Sequence, residues 1–136
     1  MMRPMRIRLE SVSVSDLDEA LAFYADVLGF VKKTDIPMGD TRWVTVVSPE
    51  EPDGTELVLE PNAEHPATKV YKKAIYDEGI PWTAFQVDDI ESEYSRLRDL
   101  GVLFRSQPQQ FGSEIVAIFD DTCGNLIMIY QVAAED

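Results

Sequence analysis

Residues 14–19 read Val-Ser-Asp-Leu-Asp-Glu, and residues 87–92 repeat the pattern as Val-Asp-Asp-Ile-Glu-Ser. Asp16 and Asp89 hold the same place in the two copies, 89 − 16 = 73 residues apart. Each Asp follows an alternating run typical of a strand and precedes apolar residues at helical spacing. Each is therefore predicted to be a helix N-cap. A repeat of this length predicts two copies of one supersecondary unit.

The rest of each copy follows the same order. Gly29 and Gly101 end the two helical patterns as left-handed stops. The predicted buried stripes are Leu17, Ala20, Leu21, Tyr24, Val27 and Leu28, then Ile90, Tyr94, Leu97 and Leu100. The predicted strands cover residues 8–14, 30–36, 41–47 and 56–60 in the first half, and 82–87, 102–106, 114–119 and 125–131 in the second. Each half is predicted to be β-α-β-β-β, which makes the chain an α+β protein.

The connector between the halves covers residues 62–80 and carries its own helical pattern over 67–77. Its apolar side is predicted from Val70, Tyr71, Ala74 and Ile75, and its polar side from Lys69, Lys72 and Lys73. We therefore predict one domain over 1–136, with module one at 5–61 and module two at 81–132. Two curved sheets are expected to form a half-barrel with a concave cleft, a shape that suits a small molecule.

Composition narrows the choice of partner. Twelve Lys and Arg against twenty-five Asp and Glu give a net charge of −13, which repels nucleic-acid phosphates and anionic membranes. No apolar run approaches the roughly 18 residues of a membrane helix, and the start lacks a signal-peptide core, so we expect a cytoplasmic protein. Cys123 is the single cysteine, which excludes an intrachain disulfide.

Three motifs resemble one protein family. Residues 14–24 with Val-Leu-Gly-Phe at 27–30, residues 84–90, and residues 120–127 resemble the opening, the second module and the final turn of vicinal oxygen chelate domains. This superfamily contains glyoxalase I, extradiol dioxygenases and bleomycin-resistance proteins. The motifs bracket almost the whole chain in the family's order, so the resemblance implies the family's paired βαβββ fold.

The resemblance also implies where a metal would sit. Enzymes of the family hold a divalent cation through His, Glu or Gln on the first and fourth strands of each module. Counting from the capping Asp and from Gly124, these positions fall on Leu9, Trp82 and Met128, while Glu60 matches the remaining one. Leu, Trp and Met do not ligate a hard divalent cation. We therefore expect no metal or other cofactor, with a site built from Glu56, Glu60 and Gln86 as the alternative.

Two functions remain open at this stage. The first is a metal-free protein, similar to bleomycin-resistance proteins, that binds a flat or cationic small molecule; the ligand-binding candidates are Leu9, Glu60, Trp82, Gln86, Met128 and Tyr130. The alternative is an enzyme of the lyase, isomerase or dioxygenase type, with Glu60 as general base or as part of an atypical metal site. The resemblance also implies a homodimer, with or without exchange of modules.

Further residues are candidates for roles that the pattern does not decide. Trp43 and Phe111 are additional aromatic candidates for the cleft. His65, the single histidine, is expected in an exposed loop, and Cys123 is expected to be an unreactive turn residue. The acidic pairs at 88–89 and 120–121 are expected to cap a helix and form a turn.

Overall fold

The computed structural model describes residues 3–133 and forms two compact units, Met1–Ala63 and Glu64–Asp136. Each unit contains one four-stranded mixed sheet and one βαβββ module. The predicted α+β class with two βαβββ modules is confirmed. That the modules form one domain with a shared cleft stays a prediction.

The first unit has the strand order β1-β4-β3-β2, with β1 parallel to β4 and the other neighbours antiparallel. Its elements are β1 (Leu9–Ser13), α1 (Leu17–Leu21) continued by a π-helical segment (Ala22–Val27), β2 (Val31–Met38), β3 (Thr41–Val47) and β4 (Glu56–Glu60). The strands match their predicted positions to within two residues at each end.

The first helix begins and ends as its sequence predicts, but its second half is wider. The side chain of Asp16 accepts a hydrogen bond from the N–H of Glu19 at 2.9 Å, and Gly29 has φ +93°. Between them the N–H of Leu28 donates to the carbonyl of Phe23, which is π-helical spacing. The extra residue in the turn brings Phe23 into the core, where the periodic pattern had placed Leu21.

The second unit repeats this plan with the order β5-β8-β7-β6 and β5 parallel to β8. Its elements are α2 (Pro66–Asp77), β5 (Thr83–Gln86), α3 (Ile90–Asp99), β6 (Gln109–Phe111), β7 (Glu114–Asp120) and β8 (Leu126–Val132). Asp89 caps α3 by accepting from the N–H of Ser92, as predicted.

One predicted strand is wrong. Residues 102–106 form only an isolated bridge, Phe104 to Phe119, and the edge strand β6 begins later, at Gln109. Gly112, with φ +65°, makes the tight turn that pairs Phe111 with Glu114. The hairpin turn therefore determines that Gln109–Phe111 pair with the first half of β7. Residues 102–106 are left beside the end of that strand only.

The connector helix was predicted correctly in position but not in the direction it faces. α2 belongs to the second unit, and His65 caps it by accepting the N–H of Ala67 at Nδ1. Lys72, predicted on the polar side, is buried, whereas Val70 and Tyr71 are 73% and 57% exposed. A turn carbonyl that accepts from the Lys72 ammonium, described below, explains why a lysine faces inward here.

Candidate functional site

Each sheet has one face under its main helix and one face turned away from it. In the first unit, Arg42 on β3 pairs with Asp18 of α1, so the residues that alternate with Arg42 face away from the helix. This first far face carries Leu9, Ser11, Ser13, Trp43, Thr45, Glu56, Val58 and Glu60. In the second unit, α3 packs on β7 and β8, and the rings of Tyr94, Phe104 and Phe119 connect the helix to β7. The residues that alternate with Phe119 face away from α3 and form the second far face, which carries Ala84, Gln86, Ile118, Met128 and Tyr130.

Strand register decides which candidates on the first far face are neighbours. Leu9 lies directly opposite Glu56, whereas Glu60 lies opposite Ser13 at the other end of the strand pair. Four residues separate the two levels, or about 13 Å of strand. Glu56 is therefore the fourth-strand residue beside Leu9, whereas the match of Glu60 to a ligand position stays a prediction.

Glu56 is anchored within the sheet. Its Oε1 atom accepts a hydrogen bond from the Thr45 hydroxyl at 2.7 Å, and its side chain is half-buried. Glu60 is half-buried at the other end of β4, on the same face as Trp43 of β3. The first far face thus has two carboxylates at separate levels rather than a carboxylate pair.

The second far face brings most of its predicted residues together. Met128 pairs with Ala84, and Tyr130 pairs with Gln86, so these four side chains lie on adjacent strands on one face. The N–H of Trp82 donates to the carbonyl of Leu126, and alternation then places Trp82 beside Ala84 on the same face. Ala84, which is exposed, has the smallest side chain of this group.

An aromatic contact that the sequence did not predict supports Trp82. The ring of Tyr71 on α2 meets the ring of Trp82 edge to face, with centroids 5.7 Å apart and planes at 70°. Trp82 is half-buried, whereas Tyr71 is more than half exposed. The sequence did not predict this contact, because Tyr71 was expected on the buried side of the connector helix.

The residues at the family's metal positions do not fit a divalent cation. Leu9, Trp82 and Met128 supply no oxygen or imidazole donor, which leaves a single carboxylate, Glu56, at these positions. Among residues 3–133, no group of three His, Cys, Asp or Glu side chains is placed to hold a metal ion. His65 is committed to the cap of α2.

A buried polar cluster supports the turn that precedes β8. Asp121 is fully buried, and its Oδ1 accepts the backbone N–H groups of Cys123 and Asn125 at 2.7 and 3.0 Å. Lys72 donates to the carbonyl of Cys123 at 2.9 Å, and burial lowers the pKa of its ammonium although Asp121 opposes that shift. The predicted turn-forming role of the acidic pair at 120–121 is confirmed, since Asp120 also accepts the N–H of Thr122.

A bidentate ion pair lies on the helix side of the first sheet. Arg42 donates to both carboxylate oxygens of Asp35 at 3.0 Å and to Asp18 at 2.9 Å. These hydrogen bonds raise the pKa of Arg42 and lower that of Asp35. The pair lies on the opposite side of the sheet from the first far face, so it has a structural role.

No helix in the described part of the chain is long and apolar enough to span a membrane.

Comparison with known proteins identifies the fold and its relatives. A family model, the Glyoxalase/Bleomycin resistance protein/Dioxygenase superfamily, matches residues 7–129. The uncharacterised protein YurT of Bacillus subtilis is 56% identical over 127 residues, which cover 93% of this chain and 99% of YurT. A protein named "Probable lactoylglutathione lyase" from Synechocystis is 29% identical and covers 91% of this chain and 93% of its own.

Among solved structures, TnmS3, an antibiotic binding protein from Streptomyces sp. CB03234, superposes with a TM-score of 0.77 at 27% identity. The match covers 98% of this chain and 100% of TnmS3. The family match extends over most of the chain and agrees with the two βαβββ modules seen here. The chain belongs to the glyoxalase, bleomycin-resistance and dioxygenase superfamily.

Proposed function

We propose that this protein binds a flat or cationic small molecule through its far faces and does so without the family's metal ion. The observation that carries the proposal is the chemistry of three positions. Leu9, Trp82 and Met128 stand where family enzymes place metal ligands, and all three lie on far faces rather than in the cores beneath the helices.

The second far face favours an aromatic ligand. Trp82, Met128 and Tyr130 offer polarisable surface around the small residue Ala84, and Gln86 adds an amide that can donate or accept. The net charge of −13 and the carboxylate of Glu60 favour a ligand that carries positive charge. The similarity to TnmS3 supports a binding role, since TnmS3 is described as an antibiotic binding protein.

The same proposal covers assembly and location. We expect a homodimer working in the cytoplasm, with a small molecule as its partner and neither nucleic acid nor membrane. Size-exclusion chromatography with light scattering tests the dimer, and a monomeric mass at micromolar concentration contradicts it.

Calorimetry with Mn²⁺, Ni²⁺ and Zn²⁺ tests the metal-free part of the proposal. We expect no stoichiometric site in the micromolar range, because one carboxylate without further donors binds such ions weakly. A stoichiometric micromolar site for any of the three cations overturns the proposal.

Ligand chemistry is tested with proflavine, a planar cation, against anthraquinone-2-sulfonate, a planar anion. Proflavine is expected to bind more tightly and to lose affinity as salt rises. Replacing Trp82 by Leu should weaken proflavine binding about threefold to tenfold, the range of a lost stacking contact. Trp82→Phe is the matched control, since it keeps an aromatic ring at the same position. Equal binding of both dyes, or equal effects of both variants, contradicts the proposal.

The alternative function is that of an enzyme, and the observation that favours it is the presence of two carboxylates, Glu56 and Glu60, on one face of β4. Both carboxylates lie on the far face of β4, where Glu60 could act as general base or join an atypical metal site. The similarity to a protein named as a lactoylglutathione lyase points the same way. A stoichiometric cation that is lost in Glu56→Gln or Glu60→Gln would support this alternative.

A further inference from the structure

A cavity of about 410 Å³ opens on the second unit beside the C-terminal half of α2. It is lined by Tyr76, Gly101, Leu103, Asp120, Thr122 and Gly124. Its volume falls within the range of small-molecule pockets, roughly 300–1,000 Å³. None of the site residues predicted from the sequence lines it, although Asp120 pairs with Leu126 and so lies on the same face of the second sheet as Trp82, two strands away.

The polar floor of the cavity is the carboxylate of Asp120. Its Oδ2 accepts the hydroxyl of Tyr76, and its Oδ1 accepts the N–H of Thr122 at 2.7 Å. These two donors fix the carboxylate in place, yet each oxygen has a second lone pair available. Asp120 is half-buried, so the site offers a preorganised anionic acceptor at the cavity wall.

A cation stacks on the ring of Tyr76, next to the cavity rather than among the residues that line it. The guanidinium carbon of Arg105 lies 4.8 Å from the centroid of the Tyr76 ring. Arg105 is exposed, and its guanidinium forms no hydrogen bond or ion pair with another residue in the described range 3–133. A guanidinium presents several donors in a planar fork that matches a carboxylate, so stacking on Tyr76 leaves its recognition edge available.

Tyr76 thus contacts both a fixed anion, through its hydroxyl, and a stacked cation, through its ring. A ligand with only negative charge would meet Asp120, and a ligand with only positive charge would meet Arg105. A zwitterion satisfies both groups, and the Leu103 side chain, 73% exposed at the cavity, can cover an apolar substituent. We propose that this cavity binds a small zwitterion of the amino-acid class, with its ammonium on Asp120, its carboxylate on Arg105 and its apolar side chain against Leu103.

The test is a titration of the full-length protein, labelled with ¹⁵N, with L-norleucine followed by amide chemical shifts. Hexanoate and pentylamine are the matched probes, because each lacks one of the two charged groups. We expect saturable shifts at Gly101, Leu103, Thr122 and Gly124 in the millimolar range, and binding at least about tenfold weaker for either single-charge probe.

Arg105→Gln should weaken norleucine binding about tenfold, as expected for the loss of charge-assisted hydrogen bonds. Arg98→Gln is the control: the Arg98 guanidinium stacks on Tyr94 at 5.2 Å in the same unit, and Arg98 does not line the cavity, so loss of its charge should leave binding unchanged. The amide spectrum itself shows whether each variant is folded. Equal affinity for all three probes, no saturation by about 50 mM, shifts confined to other residues, or no effect of Arg105→Gln overturns the inference. The inference does not depend on the function proposed above.

Discussion

Replacing Lys72 by Met tests how the turn beside the cavity is held. Lys72 is only 7% exposed, donates to the carbonyl of Cys123 at 2.9 Å, and packs against Gly124. Met has a similar length and fills the same space, but it removes the donor and the charge. The lost hydrogen bond leaves a part-buried acceptor without its donor, which costs about 1–3 kcal/mol. Removing a desolvated ammonium offsets part of that cost, and we expect a net loss of about 1 kcal/mol at pH 7.

The pH dependence gives the sharper result. Burial lowers the pKa of Lys72 from its ordinary value of 10.5, so the unfolded chain binds more protons between the folded pKa and that value. Stability of the wild type therefore rises with pH across this window, whereas Lys72→Met lacks that rise. The free-energy difference between the two proteins should be larger at pH 10 than at pH 7.

Urea unfolding followed by far-UV circular dichroism at pH 7 and pH 10 measures the free energy of unfolding of each protein, and so the cost of Lys72→Met at each pH. Lys73→Met is the control on the same helix, because the side chain of Lys73 is 77% exposed and pairs only with the neighbouring turn at Asp77. Its cost should stay within about 0.5 kcal/mol at both pH values. A Lys72→Met cost that is the same at both pH values would refute the role of desolvation, and a cost of zero would refute the role of the hydrogen bond.

Three further perturbations test the local structure. Asp16→Ala and Asp89→Ala should each lower the melting temperature by about 2–4 °C, because each removes a helix N-cap. The drop should be larger for Asp89→Ala, because Asp89 accepts both the N–H and the hydroxyl of Ser92. Equal drops in thermal denaturation would contradict this ranking. Thr122→Gly should raise the melting temperature, because a β-branched residue at φ 65° is strained by roughly 1 kcal/mol or more, and an unchanged value in the same assay argues against strain. Hydrogen bonds from Arg42 lower the pKa of Asp35, so this pair stabilises the fold above pH 3.8, and the stabilisation is lost as the pH falls through the folded pKa. Asp35→Asn should therefore reduce the slope of unfolding free energy against pH on the acid side. An unchanged acid slope counts against the pair.

The repeat of cap, stripe and glycine predicted the fold because each of these signals is local. Asp16 and Asp89 cap their helices through bonds three residues away, and Gly29 and Gly101 adopt the left-handed φ that ends them. The sequence-based predictions were wrong where a contact with residues far along the chain determines the structure. Residues 102–106 look like a strand by composition, but the hairpin at Gly112 sets the register of β6.

The candidate site was predicted in part, for a related reason. Alternation within one strand is a local property, so the shared face of Trp82, Ala84 and Gln86 could be predicted from the sequence. The pairing that brings Met128 and Tyr130 to that face depends on the register between β5 and β8. Glu56 and Tyr71 could not be selected in that way. The parallel register of β1 against β4 places Glu56 beside Leu9, and the path of α2 brings Tyr71 to Trp82; both depend on contacts between elements far apart in the chain.

The two faces of each strand explain how the fold and the site chemistry can vary separately. On β1, Val12 is fully buried and pairs with Leu59 beneath α1, whereas Leu9 on the other face is 52% exposed. A substitution at the position of Leu9 therefore costs the core almost nothing, because the packing that stabilises the sheet lies on the opposite side. By the same reasoning, Trp82 and Met128 on the far face of the second sheet can vary while the cap and the core of that unit remain intact. The proposal of metal-free binding depends on this separation, and the cation titration tests it directly.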